Sequence, residues 1–112
     1  MVHILRAADR PPSKSRTIRF EGGQFGTPVS FFLVDNAPGE GPALHIHPYP
    51  ETWVVKRGRA QVVAGEETFE LGPGDIAVAP ANMPHKFINL GPERLEIVCI
   101  HAAGTMVQTD LE

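Results

Sequence analysis

A single cysteine, Cys99, rules out an intrachain disulfide. It sits in the strand-like run "LEIVCIHA", where a small buried hydrophobe is the expected role rather than a reactive thiol. No apolar run approaches membrane-spanning length, and the N-terminus shows no charged-then-apolar signal pattern. A cytoplasmic protein with no membrane partner is therefore expected. A basic excess is missing too: 10 Lys and Arg stand against 13 Asp and Glu, for a formal net charge of -3. Phosphate binding needs a concentrated basic face, so nucleic acid is not an expected partner. The one basic cluster, "RAADRPPSKSR" from Arg6 to Arg16, reads as a solvated loop. No window carries a helical period. The sequence also lacks a Ser-His-Asp arrangement, a phosphate-cradling glycine loop and paired zinc-finger cysteines.

What is there is β-structure, heavily punctuated. The 112 residues contain 11 Gly and 11 Pro, too many for long helices. Short β-rich runs recur instead: "RTIRFEG", "TPVSFFLVDN", "PALHIH", "ETWVVKRG", "RAQVVAG", "ETFELG", "GDIAVAP", "HKFINLG" and "RLEIVCIHA". Turn signals such as "NAPGEGP", "GPGD" and "PANMP" separate them. Many short strands at this spacing predict an all-β sandwich or barrel with essentially no helix. The length suits one domain, 1–112, in which 1–17 supply an N-terminal strand and loop.

Side chains alternate across a strand with a period of two. His45 and His47 in "LHIHPYPETWVV" therefore share one face. "PYP" forces a turn, because proline lacks a backbone donor. Past it, Glu51, Trp53 and Val55 share a face. Downstream, His85, Phe87 and Asn89 do the same in "APANMPHKFIN". His45, His47, Glu51 and His85 can thus converge inside a small barrel. Three imidazoles and a carboxylate are sound ligands for one divalent transition metal per chain: Fe, Mn, Ni, Zn, Co or Cu. About two positions of a six-coordinate ion are then left open.

These residues resemble the cupin superfamily, and in particular its small single-domain members. "GEGPALHIHPYPETWVVKRG" (39–58) fits the first cupin motif, Gly-x5-His-x-His-x3-Glu-x6-Gly, at every fixed position. "GDIAVAPANMPHKFIN" (74–89) fits the second, Gly-x5-Pro-x-Gly-x2-His-x3-Asn, except that Asn82 replaces a glycine. Asn tolerates left-handed φ better than other non-glycine residues, so the turn is expected to survive. The resemblance implies a jelly-roll β-barrel of two antiparallel sheets, with His45, His47, Glu51 and His85 as the metal ligands.

Other residues carry alternatives. Trp53, Phe87 and Met83 can wall an apolar substrate pocket or simply pack in the core. Tyr49 can reach the barrel mouth or stay a surface turn residue. His101, in register with Leu95, Ile97 and Cys99, can support a metal ligand or be a satisfied core or interface histidine. Gln61 and Asn89 are candidate polar groups near the cavity, and His3 a surface or subunit contact.

Three function classes fit. The first is a metal-dependent oxygenase, a dioxygenase-type oxidoreductase on a small organic substrate. The second is a metal-assisted isomerase or decarboxylase of a sugar or keto acid, whose pocket should hold inward Lys or Arg. The third is a non-catalytic small-molecule binding module. Outward apolar residues Leu44, Ile46 and Val54, with the N-terminal "VHILR", predict a homodimer.

Overall fold

A computed structural model describes residues 1–112. It contains ten strands: β1 (Ile18–Glu21), β2 (Ser30–Asn36), β3 (His45–Ile46), β4 (Glu51–Arg57), β5 (Ala60–Ala64), β6 (Glu67–Leu71), β7 (Ile76–Ala79), β8 (His85–Asn89), β9 (Leu95–His101) and β10 (Thr109–Asp110). Two three-residue 3-10 turns, Ala7–Asp9 and Gly23–Phe25, are its helical content. The strands form two five-stranded sheets, β1-β2-β9-β4-β7 and β10-β3-β8-β5-β6. Every pairing is antiparallel. This is the all-β architecture expected from the strand pattern, in the jelly-roll arrangement that the resemblance implies.

Alternation builds the core. Along β9, Leu95, Ile97, Cys99 and His101 are buried while the residues between them are half-buried. β4 does the same with Glu51, Trp53 and Val55. From the facing sheet come Ala60, Val62, Ala64, Leu71 and Phe87, and one cluster joins all the apolar members. No helix is long and apolar enough to cross a membrane.

Two turns show why the motif positions are what they are. Gly58 has φ 80°, and a Cβ there would lie 2.5 Å from the Arg94 carbonyl oxygen. Only glycine meets both conditions. Asn82 stands where a glycine was expected and does take left-handed backbone, φ 64°. Its N–H donates to the His47 carbonyl at 2.7 Å, tying one motif to the other.

Two expectations need correction, and one strand was not foreseen. The N-terminal strand does not form: residues 1–17 hold only the first 3-10 turn and are almost wholly exposed. "VHILR" finds no strand edge in this chain to complete its ladder. "PALHIH" is a strand only at His45–Ile46, because Pro42 and Pro48 flank it. The pair β10, not foreseen, adds to the far edge of β3 through Thr109↔Ile46 and Asp110↔His45.

Candidate metal centre

β3 with the residue just past it, β4 and β8 bring His45, His47, Glu51 and His85 together, all four buried, with ligand atoms within 4.8 Å of one another. Register explains the convergence. His45 pairs directly with His85, and Glu51 on the opposite sheet pairs with His101. The two sheets therefore bring their polar rows face to face.

The imidazoles are held in one orientation by backbone carbonyls. His45 Nδ1 donates to Ala43 O at 2.6 Å, His47 Nδ1 to Val107 O at 2.8 Å and His85 Nδ1 to Met83 O at 2.9 Å. A carbonyl only accepts, so each ring carries its proton on Nδ1 and, when neutral, turns an Nε2 lone pair to the centre. Glu51 Oε1 lies 3.1 Å from His47 Nε2 and 3.0 Å from His85 Nε2. The His47 approach is off the hydrogen-bond direction, which leaves its buried Nε2 without a partner. A buried polar atom without a partner is costly, and a cation at that point removes the cost. The donor set and this orphaned nitrogen fit a divalent transition metal.

The other carboxylate oxygen is already used. Glu51 Oε2 accepts from Trp53 Nε1 at 2.7 Å. Burial by itself raises the Glu51 pKa. The imidazoles of His47 and His85 outweigh it and hold the carboxyl well below the usual range. Burial lowers His45. For His47 burial also acts downward, but Glu51 and the Val107 carbonyl raise it overall. His101 is pushed down to about 4, chiefly by burial. Burial drives the Cys99 thiol well above its ordinary value, so it stays protonated.

The cluster opens into a cavity of about 310 Å³. Its apolar wall includes Phe32, Val34 and Phe87; its polar wall includes Thr17, Asn36 and Gln108. Neither Lys nor Arg lines it.

Of the expected pocket residues, Phe87 and His101 line this cavity, while Trp53, Met83 and Tyr49 do not. Trp53 is instead 2% exposed in the core, turned to Glu51. Met83 is half-buried and contributes its carbonyl to His85. Tyr49 is no surface turn residue. It is buried, and its hydroxyl meets His101 Nδ1 at 2.6 Å. Asn89 braces a loop, donating to the carbonyls of Asn36 and Glu93. Gln61 lies on the outside of its sheet, exposed. His3 is exposed with its ring against Phe25.

Sequence reasoning missed the Val107 carbonyl, which no side-chain pattern reveals. It also missed the cavity face of β2, although the alternation of Phe32, Val34 and Asn36 was available to show it.

Several proteins are similar to this chain. A polyketide synthase protein, CurC, of Streptomyces cyaneus is 40% identical over 62 residues, covering 54% of this chain and 40% of that protein. The alginate biosynthesis protein AlgA of Pseudomonas aeruginosa is 30% identical over 76 residues, covering 67% of this chain and 16% of the relative. The chain thus spans less than half the length of these curated relatives. Among solved structures, a conserved Klebsiella pneumoniae protein with a double-stranded β-helix domain is 28% identical. It superposes with a TM-score of 0.75 over 100% of this chain and 99% of that one. A variant of Bacillus subtilis oxalate decarboxylase gives a TM-score of 0.82 at 23% identity, over 96% of this chain and 31% of that one. The Cupin domain model matches residues 32–101, both motifs included. On that match, which takes in well over half of its length, this chain belongs to the cupin family.

Proposed function

We propose that this protein is a mononuclear metal-dependent enzyme of the oxygenase type, acting on a small, partly apolar, oxygen-bearing substrate. The observation that carries the reading is the cavity itself. His45, His47 and Glu51 line it, His85 completes their cluster just behind, and no Lys or Arg lines it. His45, His47, Glu51 and His85 hold the ion. A divalent transition metal bound there would supply Lewis-acid chemistry and, where the ion is redox-active, electron transfer to bound substrate.

The residues around it do the rest. Phe32, Val34 and Phe87 exclude water from one side of the cavity and pack the apolar part of the substrate. Thr17, Asn36 and Gln108 offer hydrogen bonds to its polar part. Trp53 keeps Glu51 Oε2 occupied, so that Oε1 is the oxygen presented. The similarity to a polyketide synthase protein is in keeping with an oxygen-rich carbon skeleton.

The second reading is a decarboxylase or isomerase using the same ligands without oxygen. Solved neighbours include oxalate decarboxylase, one of them described with Mn(II) centres. The cavity wall speaks against a dianionic substrate: it adds Glu40 and no cation.

A second copy of the chain is the proposed partner. The outward face of β1-β2-β9-β4-β7 carries an unbroken apolar row, Ile18–Leu33–Val98–Val54–Ile76. Beside it runs Phe20–Phe31–Ile100–Thr52–Val78. Ile76 and Val78 are 66% and 63% exposed. A continuous patch of this kind is an interface signature.

Elemental mass spectrometry on untagged protein prepared without chelator tests the function. About one transition-metal ion per chain is expected, and its loss in His47→Ala/His85→Ala. Oxygen uptake with chelating substrates should follow. No metal after reconstitution would overturn both enzyme readings, and turnover without oxygen would favour the second.

A further inference from the structure

His101 differs from the other three buried histidines in the cluster, and the difference is chemical. His45, His47 and His85 rest their Nδ1 atoms on carbonyls, which cannot donate. His101 rests its Nδ1 on the Tyr49 hydroxyl at 2.6 Å. That hydroxyl already accepts from Val107 N–H at 3.2 Å. Its own proton has one acceptor within reach, His101 Nδ1. A neutral His101 must then carry its proton on Nε2, the opposite tautomer to its three neighbours. It cannot be a fifth metal ligand through that nitrogen.

The ring is 1% exposed and lines the cavity. Its edge contacts with Phe32 and His47 fix its plane. Glu51 Oε2 lies 3.6 Å from Nε2, too far for a hydrogen bond. That oxygen is also taken by Trp53. The Nε2 edge of this buried ring therefore faces the cavity beside Glu51 with no hydrogen bond of its own.

We propose that Tyr49 locks His101 as an Nε2–H donor, and that this N–H receives an acceptor oxygen of the small molecule bound beside Glu51. His101 is then a positioning residue for the ligand, and Tyr49 acts through it. The ligand class follows: neutral or singly charged molecules with a coordinating carbonyl, enolate or hydroxamate oxygen. Amines, which offer a donor to a donor, are disfavoured. The second half of the proposal rests on the metal-site reading above, whereas the tautomer does not.

The first arm therefore uses metal-free protein. Long-range 1H–15N correlation of the ring nitrogens should show His101 protonated on Nε2 and bare on Nδ1. Tyr49→Phe should remove that preference. A wild-type His101 protonated on Nδ1 overturns the proposal even if the variant fails to fold. The second arm titrates acetohydroxamate into cobalt-loaded protein of measured cobalt content, followed by visible absorption. Tyr49→Phe and His101→Phe should each weaken binding about tenfold, the worth of one hydrogen bond, with cobalt content unchanged. Equal affinity in all three proteins overturns the positioning role. Failure to load cobalt counts against the metal-site reading, and the metal-free tautomer then decides this proposal alone.

Discussion

The two faces of the sheet β1-β2-β9-β4-β7 reverse the usual rule. Its buried face holds Glu51 and His101 among Trp53, Val55 and Ile97. Its outer face holds two rows of Ile, Leu, Val and Phe broken only by Thr52. Burying a carboxylate is costly unless it is paired and hydrogen-bonded; Glu51 Oε2 accepts from Trp53, while Oε1 faces His47 and His85, where a cation would complete its pairing. The outer face has no such necessity: nothing in the barrel requires Val98 or Val54 to be apolar. The difference teaches that polar groups can be buried where they meet one another, as Glu51 and His101 do, while an apolar face left outside is the one a second copy, as proposed above, would cover.

The largest expected effect breaks the outer face. Val98 lies mid-row between Leu33 and Val54. Val98→Asp leaves the barrel free to fold, since the charge meets water in a single chain. In a dimer it is buried without a partner, so dissociation should strengthen by at least about 100-fold. Analytical ultracentrifugation reads this directly. A wild-type protein that stays monomeric at high concentration sinks the dimer.

The next effect loosens the inner face. Trp53→Phe keeps most of the packing and removes the N–H on Glu51 Oε2. Groups that orient a ligand side chain typically change metal affinity 10–100-fold, and about tenfold is expected here. Competition against a chromophoric chelator measures it. An unchanged affinity means that Glu51 needs no second holder.

The smallest effect separates the faces by pH. His101 titrates at about 4 in the folded chain against 6.5 as a free group, because burial disfavours its cation. Between those values the unfolded chain takes up a proton that the folded chain refuses. Stability from this group is thus present above pH 6.5 and lost as pH falls toward 4. His45 acts in the same direction and His47, whose pKa is raised, in the opposite one. In the metal-free protein, His101→Gln should flatten the decline in urea stability over that window, while Val98→Asp should leave its slope intact. Parallel slopes in wild type and His101→Gln would contradict the assignment.

Much of this was legible in the sequence because it depends on local rules. Period-two alternation put Glu51 with Trp53 and His85 with Phe87, and the structure keeps both pairs on inward faces. Asn82 was readable because it takes the place of a glycine in the motif that the chain resembles, and asparagine tolerates the positive φ found there. Tyr49 was not. "PYP" announces a turn but says nothing of depth, and the buried Tyr49 hydroxyl finds its partners more than fifty residues away, donating to His101 and accepting from the Val107 N–H. Strand β10 was missed for a similar reason: "TD" has no strand signal of its own, and it pairs only because β3 offers a free edge. "VHILR" is the converse, strand-like in composition and without an edge to join.

Trp53 is the only tryptophan in the chain. Its indole nitrogen touches the carboxylate of the proposed metal ligand Glu51, and its ring centroid lies 5.2 Å from that of His85. Light absorbed at the red edge of the protein spectrum is therefore emitted from beside the proposed metal. An ion with a partly filled d shell drains that emission, whereas zinc, with its full shell, leaves the glow largely in place. The protein carries its own lamp at the site, and its brightness reports both whether the seat is taken and what kind of ion has taken it.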